Sequence, residues 1–312
     1  MNVMRCRVSS LATVSRSLPA IAGWLATSLF NMAAAADQRP TIRWLVSHEP
    51  PATIVHGEGR GGGFGDNYRK ALIERLPEFA HRVEITTSRR REALMRRGEP
   101  VCSILMIRTP AREQFALFAS KPYLLALPVR LVMQEETAES LRPLAHDDTL
   151  RLEDVLGDGT HHLGIFKSVS FDSLIDRQLA DIGKGYPDAI RYFDEAPGST
   201  LRNLVRLMSK GRFDVTLGHS VVVHHWTRND PSIGRLVYIP VASVVAPIPL
   251  HVSCTKSLFG QEVIRQVEQL PGLDSLADTA ARDYASRLPE EEQVRYRAIL
   301  QAARRSTKAG SE

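Results

Sequence analysis

Between residues 41 and 240 the chain alternates short β-rich runs with stretches of helical spacing, and this restricts the fold more than any other feature. Strands separated by helices are joined by crossovers, so they pair as parallel or mixed sheets with helices on the faces. "TIRWLVSHEPP" begins as a strand and stops at Pro50 and Pro51, which cannot extend a ladder. "GRGGGFGD" is a glycine-rich loop at the edge of any cleft. The apolar spacing of "DNYRKALIERLPEF" then predicts a helix with Asp66 as its cap. "RVEITT" reads as a strand, "SRRREALMRRG" as a helix ended by Gly98, and "VCSILMI" as a buried strand.

After Tyr123 the extended run "LLALPVRLVMQ" opens a second block with the same alternation. Its strands are "HLGIF", "IRYFD" and "FDVTLG", and its helices "SFDSLIDRQLADIG", "STLRNLVRLMSKGR" and "HSVVVHHWTR". "LVYIPVASVVAPIPLHVSCT" is extended again, and an amphipathic helical tail follows. No low-complexity linker separates the blocks. The expectation is an α/β protein of two lobes joined by two extended hinge crossings. Residues 37–123 begin lobe 1, 124–243 form lobe 2, and 244–312 complete lobe 1. A small ligand fits the cleft between such lobes.

Residues 1–36 read as a secretory leader: Arg5, Arg7 and Arg16, the apolar "LPAIAGWLATSLF", then "NMAAAADQ", with cleavage after Ala36. That places the mature protein in the periplasm. Losing three arginines and no acid takes the formal charge from +5 to +2, so nucleic acid is not the expected partner. Cys6 leaves with the leader, and Cys102 and Cys254 remain as two thiols in an oxidising compartment, where a disulfide between them is expected.

"TPAREQFALFASKPY", residues 109–123, sets Arg112 in a proline-stiffened turn, where its planar fork of donors suits a carboxylate. With "GIFKSVS" at 164–170 and "GRFDVTLG" at 211–218, this order of motifs resembles the type II periplasmic binding proteins, in particular the amino-acid-binding-like extracellular solute-binding proteins of family 3. The matching positions are Thr109, Pro110, Arg112, Phe118, Ser120, Pro122 and Tyr123, and the likeness of element order spans about residues 41–270. The resemblance implies that Arg112 holds a ligand carboxylate beside Thr109. It also implies that the loop with Ser168 and Ser170 supplies amides. Both serines precede a helix they are able to cap.

Three positions depart from the family pattern. His219 stands where the family carries an acid for the ligand's ammonium, Leu105 and Ile107 replace small hydroxyl residues, and Glu49 precedes the proline pair in place of an aromatic. Two readings stand open: Glu49 replaces the missing acid from the opposite lobe with His219 adding one hydrogen bond, or Glu49 is a solvated loop residue and His219 a helix cap.

His161/His162 and His224/His225 lack metal-ligand spacing, and the glycine run lacks the residues of a phosphate loop. Arg89, Arg90, Arg91, Arg96 and Arg97 read as one solvated helix face. No cofactor, metal or catalytic constellation is expected. The function read here is a monomeric, exported binder of a small polar, carboxylate-bearing solute, working with an ABC permease or a sensory receptor. The alternatives are a dehydratase- or hydrolase-type enzyme using Glu49 and His219, and a ligand-free interaction protein.

Overall fold

The structure, a computed structural model, describes residues 39–167, 169–195 and 201–309. The proposed leader with its cleavage site and the proposed ligand residue Ser168 lie outside the described residues. No described helix is long and apolar enough to cross a membrane.

The first block forms β1 (Thr41–Val46), α1 (Phe64–Ile73), β2 (Ala80–Ile85), α2 (Ser88–Arg96), β3 (Val101–Ile107), β4 (Ala116–Phe118) and β5 (Leu124–Ala126). The second forms β6 (Arg130–Gln134), α3 (Glu135–Leu141), α4 (Leu152–Leu156), β7 (Leu163–Phe166), α5 (Ser173–Gly185), β8 (Ile190–Phe193), α6 (Leu201–Met208), β9 (Val215–Gly218), α7 (Ser220–Asn229) and β10 (Leu236–Pro240). The chain then returns through β11 (Ile248–Thr255) to α8 (Leu258–Glu268), α9 (Leu273–Ser286) and α10 (Glu290–Ala309).

The elements build two sheets. The first has the order β2-β1-β3-β11-β4, with β5 also on β11, and the second the order β10-β6-β9-β7-β8. Strands joined through helices pair in parallel, β1 with β2 and β3, and β7 with β8 and β9. Strands reached by the two extended crossings, β6 and β11, pair antiparallel to their neighbours. The central strand β3 is apolar almost throughout because both its faces are covered. β5 hydrogen-bonds into the first sheet although the sequence places residue 124 onward in the second lobe. Its three residues find an open partner in β11, and only residues 127–129 cross.

Asp66 caps α1 from its third position and not from the N-cap, its carboxylate accepting the N–H of the N-cap residue Gly63 at 3.3 Å. The helix begins two residues earlier, and the Asp66 carboxylate lies buried at its first turn, accepting the Ile54 N–H at 2.7 Å and Arg69 Nη2 at 2.7 Å. Likewise the cap of α5 is Asp172, whose Oδ1 accepts the N–H groups of Leu174 and Ile175. Ser170 instead donates to Asp176 Oδ2 at 2.5 Å.

Cys102 and Cys254 form a disulfide between directly opposed positions of β3 and β11. The C-terminal segment also clasps the hinge. Tyr284 Oη accepts the Leu127 N–H at 3.0 Å, and the buried Glu292 carboxylate meets both Arg130 and Ser220.

Candidate functional site

A cavity of about 210 Å³ lies between the two sheets, walled by residues of both. Most of the wall is apolar, with Phe64, Leu105 and Ile107 from the first lobe and Phe166, Phe171 and Leu201 from the second. The polar residues set into it are Ser47, Glu49, Ser88, Arg91, Ser170, Glu195, His219 and Tyr284. Three of the residues singled out in the sequence, Glu49, Ser170 and His219, therefore share one wall.

Glu49 projects from the loop after β1, which closes on itself through a Glu49–Thr53 bridge. Its carboxylate accepts the N–H of Leu201, the first residue of α6, so it reaches across to the second lobe. Burial pushes its pKa up to about 8, the Leu201 N–H opposes that rise, and the negative charge of Glu195 adds to it. At neutral pH the folded protein therefore holds a proton here that the unfolded chain releases. Stability from this group is full below the unfolded value of 4.5 and is lost as pH rises through about 8. The expected result is that Glu49→Gln gains stability over the parent as pH climbs through that window, which paired urea titrations at its two ends would measure.

His219 stands at the N-cap position of α7, yet its side chain makes no cap bond. Its Nδ1 lies 3.2 Å from the Leu127 carbonyl; a carbonyl only accepts, so Nδ1 carries the proton. Burial lowers its pKa, which keeps the ring neutral and leaves Nε2 a bare acceptor. Leu127 in the first crossing is thus tied through its carbonyl to His219 and through its N–H to Tyr284, both in the wall.

Arg112 is placed differently from the expected anchor. It is buried, with Nε donating to Glu92 Oε1 at 3.0 Å and Nη1 to the Ile107 carbonyl at 3.1 Å. Thr109 accepts the Arg112 N–H on its hydroxyl and its carbonyl, fixing the turn. Neither residue is part of the cavity wall.

Two residues in the wall escaped the sequence reading. Arg91 is not solvated with Arg89 and Arg90; it is buried. Leu94 and Met95, three and four residues on, pack into the core, and that helical spacing puts Arg91 on the buried face of α2. This signal was present in the sequence. Glu195 follows β8 and crosses the cleft, accepting the Ser88 N–H at 2.8 Å and the Ser88 hydroxyl at 3.3 Å. Nothing in "DEAPGS" marks it, because its role depends on where β8 ends.

No protein-family model and no curated protein matches the sequence. Solved structures do match. An ancestral arginine-binding protein bound to arginine superposes with a TM-score of 0.59 at 17% identity, over 80% of this chain and 99% of that one. A putative L-cystine ABC transporter protein from Listeria monocytogenes gives 0.56 at 15%, over 78% and 90%. A histidine kinase sensor domain with similarity to periplasmic binding proteins gives 0.56 at 13%, over 85% and 95%. The chain has the periplasmic-binding-protein fold. In a periplasmic-binding-protein fold the crevice between the lobes is the concave surface available to a small molecule, and here that crevice is the cavity holding Glu49, Arg91, Glu195 and His219.

Proposed function

We propose that this chain is an exported, periplasmic solute-binding protein whose two lobes close on a small polar, carboxylate-bearing molecule. The observation that carries this reading is the cavity itself. It is walled from both lobes, about 210 Å³ in volume, and lined by ionisable groups of both signs set in apolar surroundings. The volume falls below the roughly 300–1,000 Å³ of pockets for drug-sized ligands, which favours a metabolite. The amino-acid-binding and transporter proteins among the structural neighbours support uptake through an ABC permease, and the sensor domain supports signalling through a membrane receptor. Lobe closure is the shape change that either partner reads.

The test is a thermal-shift screen of protein starting at Asp37 against amino acids, small carboxylates, polyamines and peptides. A true ligand at about 100 times its dissociation constant adds about 2.7 kcal/mol to the folded state, and X-ray scattering should show the protein contract with it. Consumption of the ligand would instead favour the enzyme reading, with Glu49 and His219 as acid and base. The absence of any response would sink the binding reading.

A further inference from the structure

Arg91 is the only Lys or Arg in the cavity wall among the described residues, and its guanidinium is under-partnered. It is 4% exposed, Nη2 donates to Ser88 Oγ at 3.2 Å, and Nε is buried with no hydrogen-bond partner. A buried guanidinium carries five donors and a charge, and it is stable in such a place when an anion faces it. Arg112, by contrast, has its Nε and Nη1 already committed to Glu92 and the Ile107 carbonyl.

Glu195 shows what the place beside Arg91 accepts. Its two oxygens take the N–H of Ser88, at the start of α2, and the Ser88 hydroxyl. This is a carboxylate at a helix N-terminus with a buried arginine one turn on, the arrangement in which backbone amides and a guanidinium together favour an anion. Glu195 is nevertheless a poor permanent occupant, because its hydrogen bonds go to Ser88, it reaches Arg91 only through its charge, and that charge also acts on Glu49.

We infer that Ser88 and Arg91, in the first turn of α2, are the carboxylate seat of this cleft, and that Glu195 is a resident carboxylate which the ligand's own carboxylate displaces. The inference rests on the cavity being the solute site, and it deepens that reading by naming which residues take the anionic end. Arg112 is then a structural arginine that holds the turn after β3 against α2.

The experiment titrates the parent, Glu195→Gln, Arg91→Gln and Arg112→Gln with the proteinogenic L-amino acids, their carboxamides and short monocarboxylates, by calorimetry and thermal shift. The expected result is that a carboxylate binds Glu195→Gln about tenfold or more tightly than the parent, because the internal competitor has lost its charge. Binding to Glu195→Gln alone also supports the inference. Arg91→Gln should weaken carboxylate binding at least tenfold and leave the carboxamide unchanged. Should Arg91→Gln fail to fold, Glu195→Gln decides: affinity equal to or below that of the parent overturns the inference. Binding kept in Arg91→Gln and lost in a folded Arg112→Gln overturns it too, with solute binding intact. If no probe binds parent or variant, the solute reading falls and this inference falls with it.

Discussion

A Cys102→Ala/Cys254→Ala double variant is expected to unfold more easily than the parent by about 3–5 kcal/mol, with a drop in melting temperature on the order of 10 °C. The two cysteines are 152 residues apart, and the loop they close contains all five strands of the second sheet. A cross-link over so long a loop removes much of the freedom of the unfolded chain. In the folded state it pins β11, the strand that returns from the second lobe, to β3 at the centre of the first sheet. Both positions are fully buried, so alanine introduces no unsatisfied polar group. Urea unfolding with and without reductant is the measurement. Reductant should bring the parent to the level of the double variant, and identical midpoints throughout would mean that the bridge contributes nothing.

Gly63→Ala is expected to cost about 3 kcal/mol and to disturb ligand binding together with stability. The backbone there is ordinary, φ −66° and ψ 155°, so the restriction is steric. A Cβ on Gly63 would lie 2.2 Å from the Ala52 carbonyl oxygen and 2.9 Å from that of Pro51. Both obstacles are backbone, held by the Phe64 and Gly65 N–H groups that donate to the same two carbonyls, and neither has room to turn aside. Relief requires moving the 49–54 loop, which carries Glu49 into the cavity. Gly185→Ala is the control: its Cβ would meet nothing within 4 Å, and alanine is the better helix former. Denaturation of the two variants side by side checks the steric argument, and equal stabilities would refute it.

The glycine-rich stretch shows how far the sequence could be read. Its composition marks a loop, and a loop is there. That Gly63 is needed for close packing against Ala52, and not for flexibility at a cleft edge, depends on a segment eleven residues earlier folding back over it. The arginine run shows a different limit. Charge alone groups Arg91 with its neighbours, although the apolar residues three and four positions on already place it on the inner face of α2. Arg112 stands in a turn whose motif is legible, but the direction of its side chain is set by Glu92 on α2 and by the Ile107 carbonyl at the end of β3.

The sequence by itself determined the alternation of strands and helices, the two extended crossings between lobes, and the two cysteines that meet across β3 and β11. These follow from local periodicity, from prolines that interrupt ladders, and from a count of thiols, none of which needs knowledge of distant neighbours. It also singled out Glu49 and His219, which both line the cavity, because each departs from a motif at a recognisable position. Only the tertiary structure decided that Glu195 crosses the cleft to α2, that Tyr284 and His219 grip the two sides of one hinge residue, Leu127, and that Arg91 and not Arg112 lines the cavity. Each of these joins residues separated by many elements. Their geometry comes from how the two sheets pack against one another, and no local pattern encodes that packing.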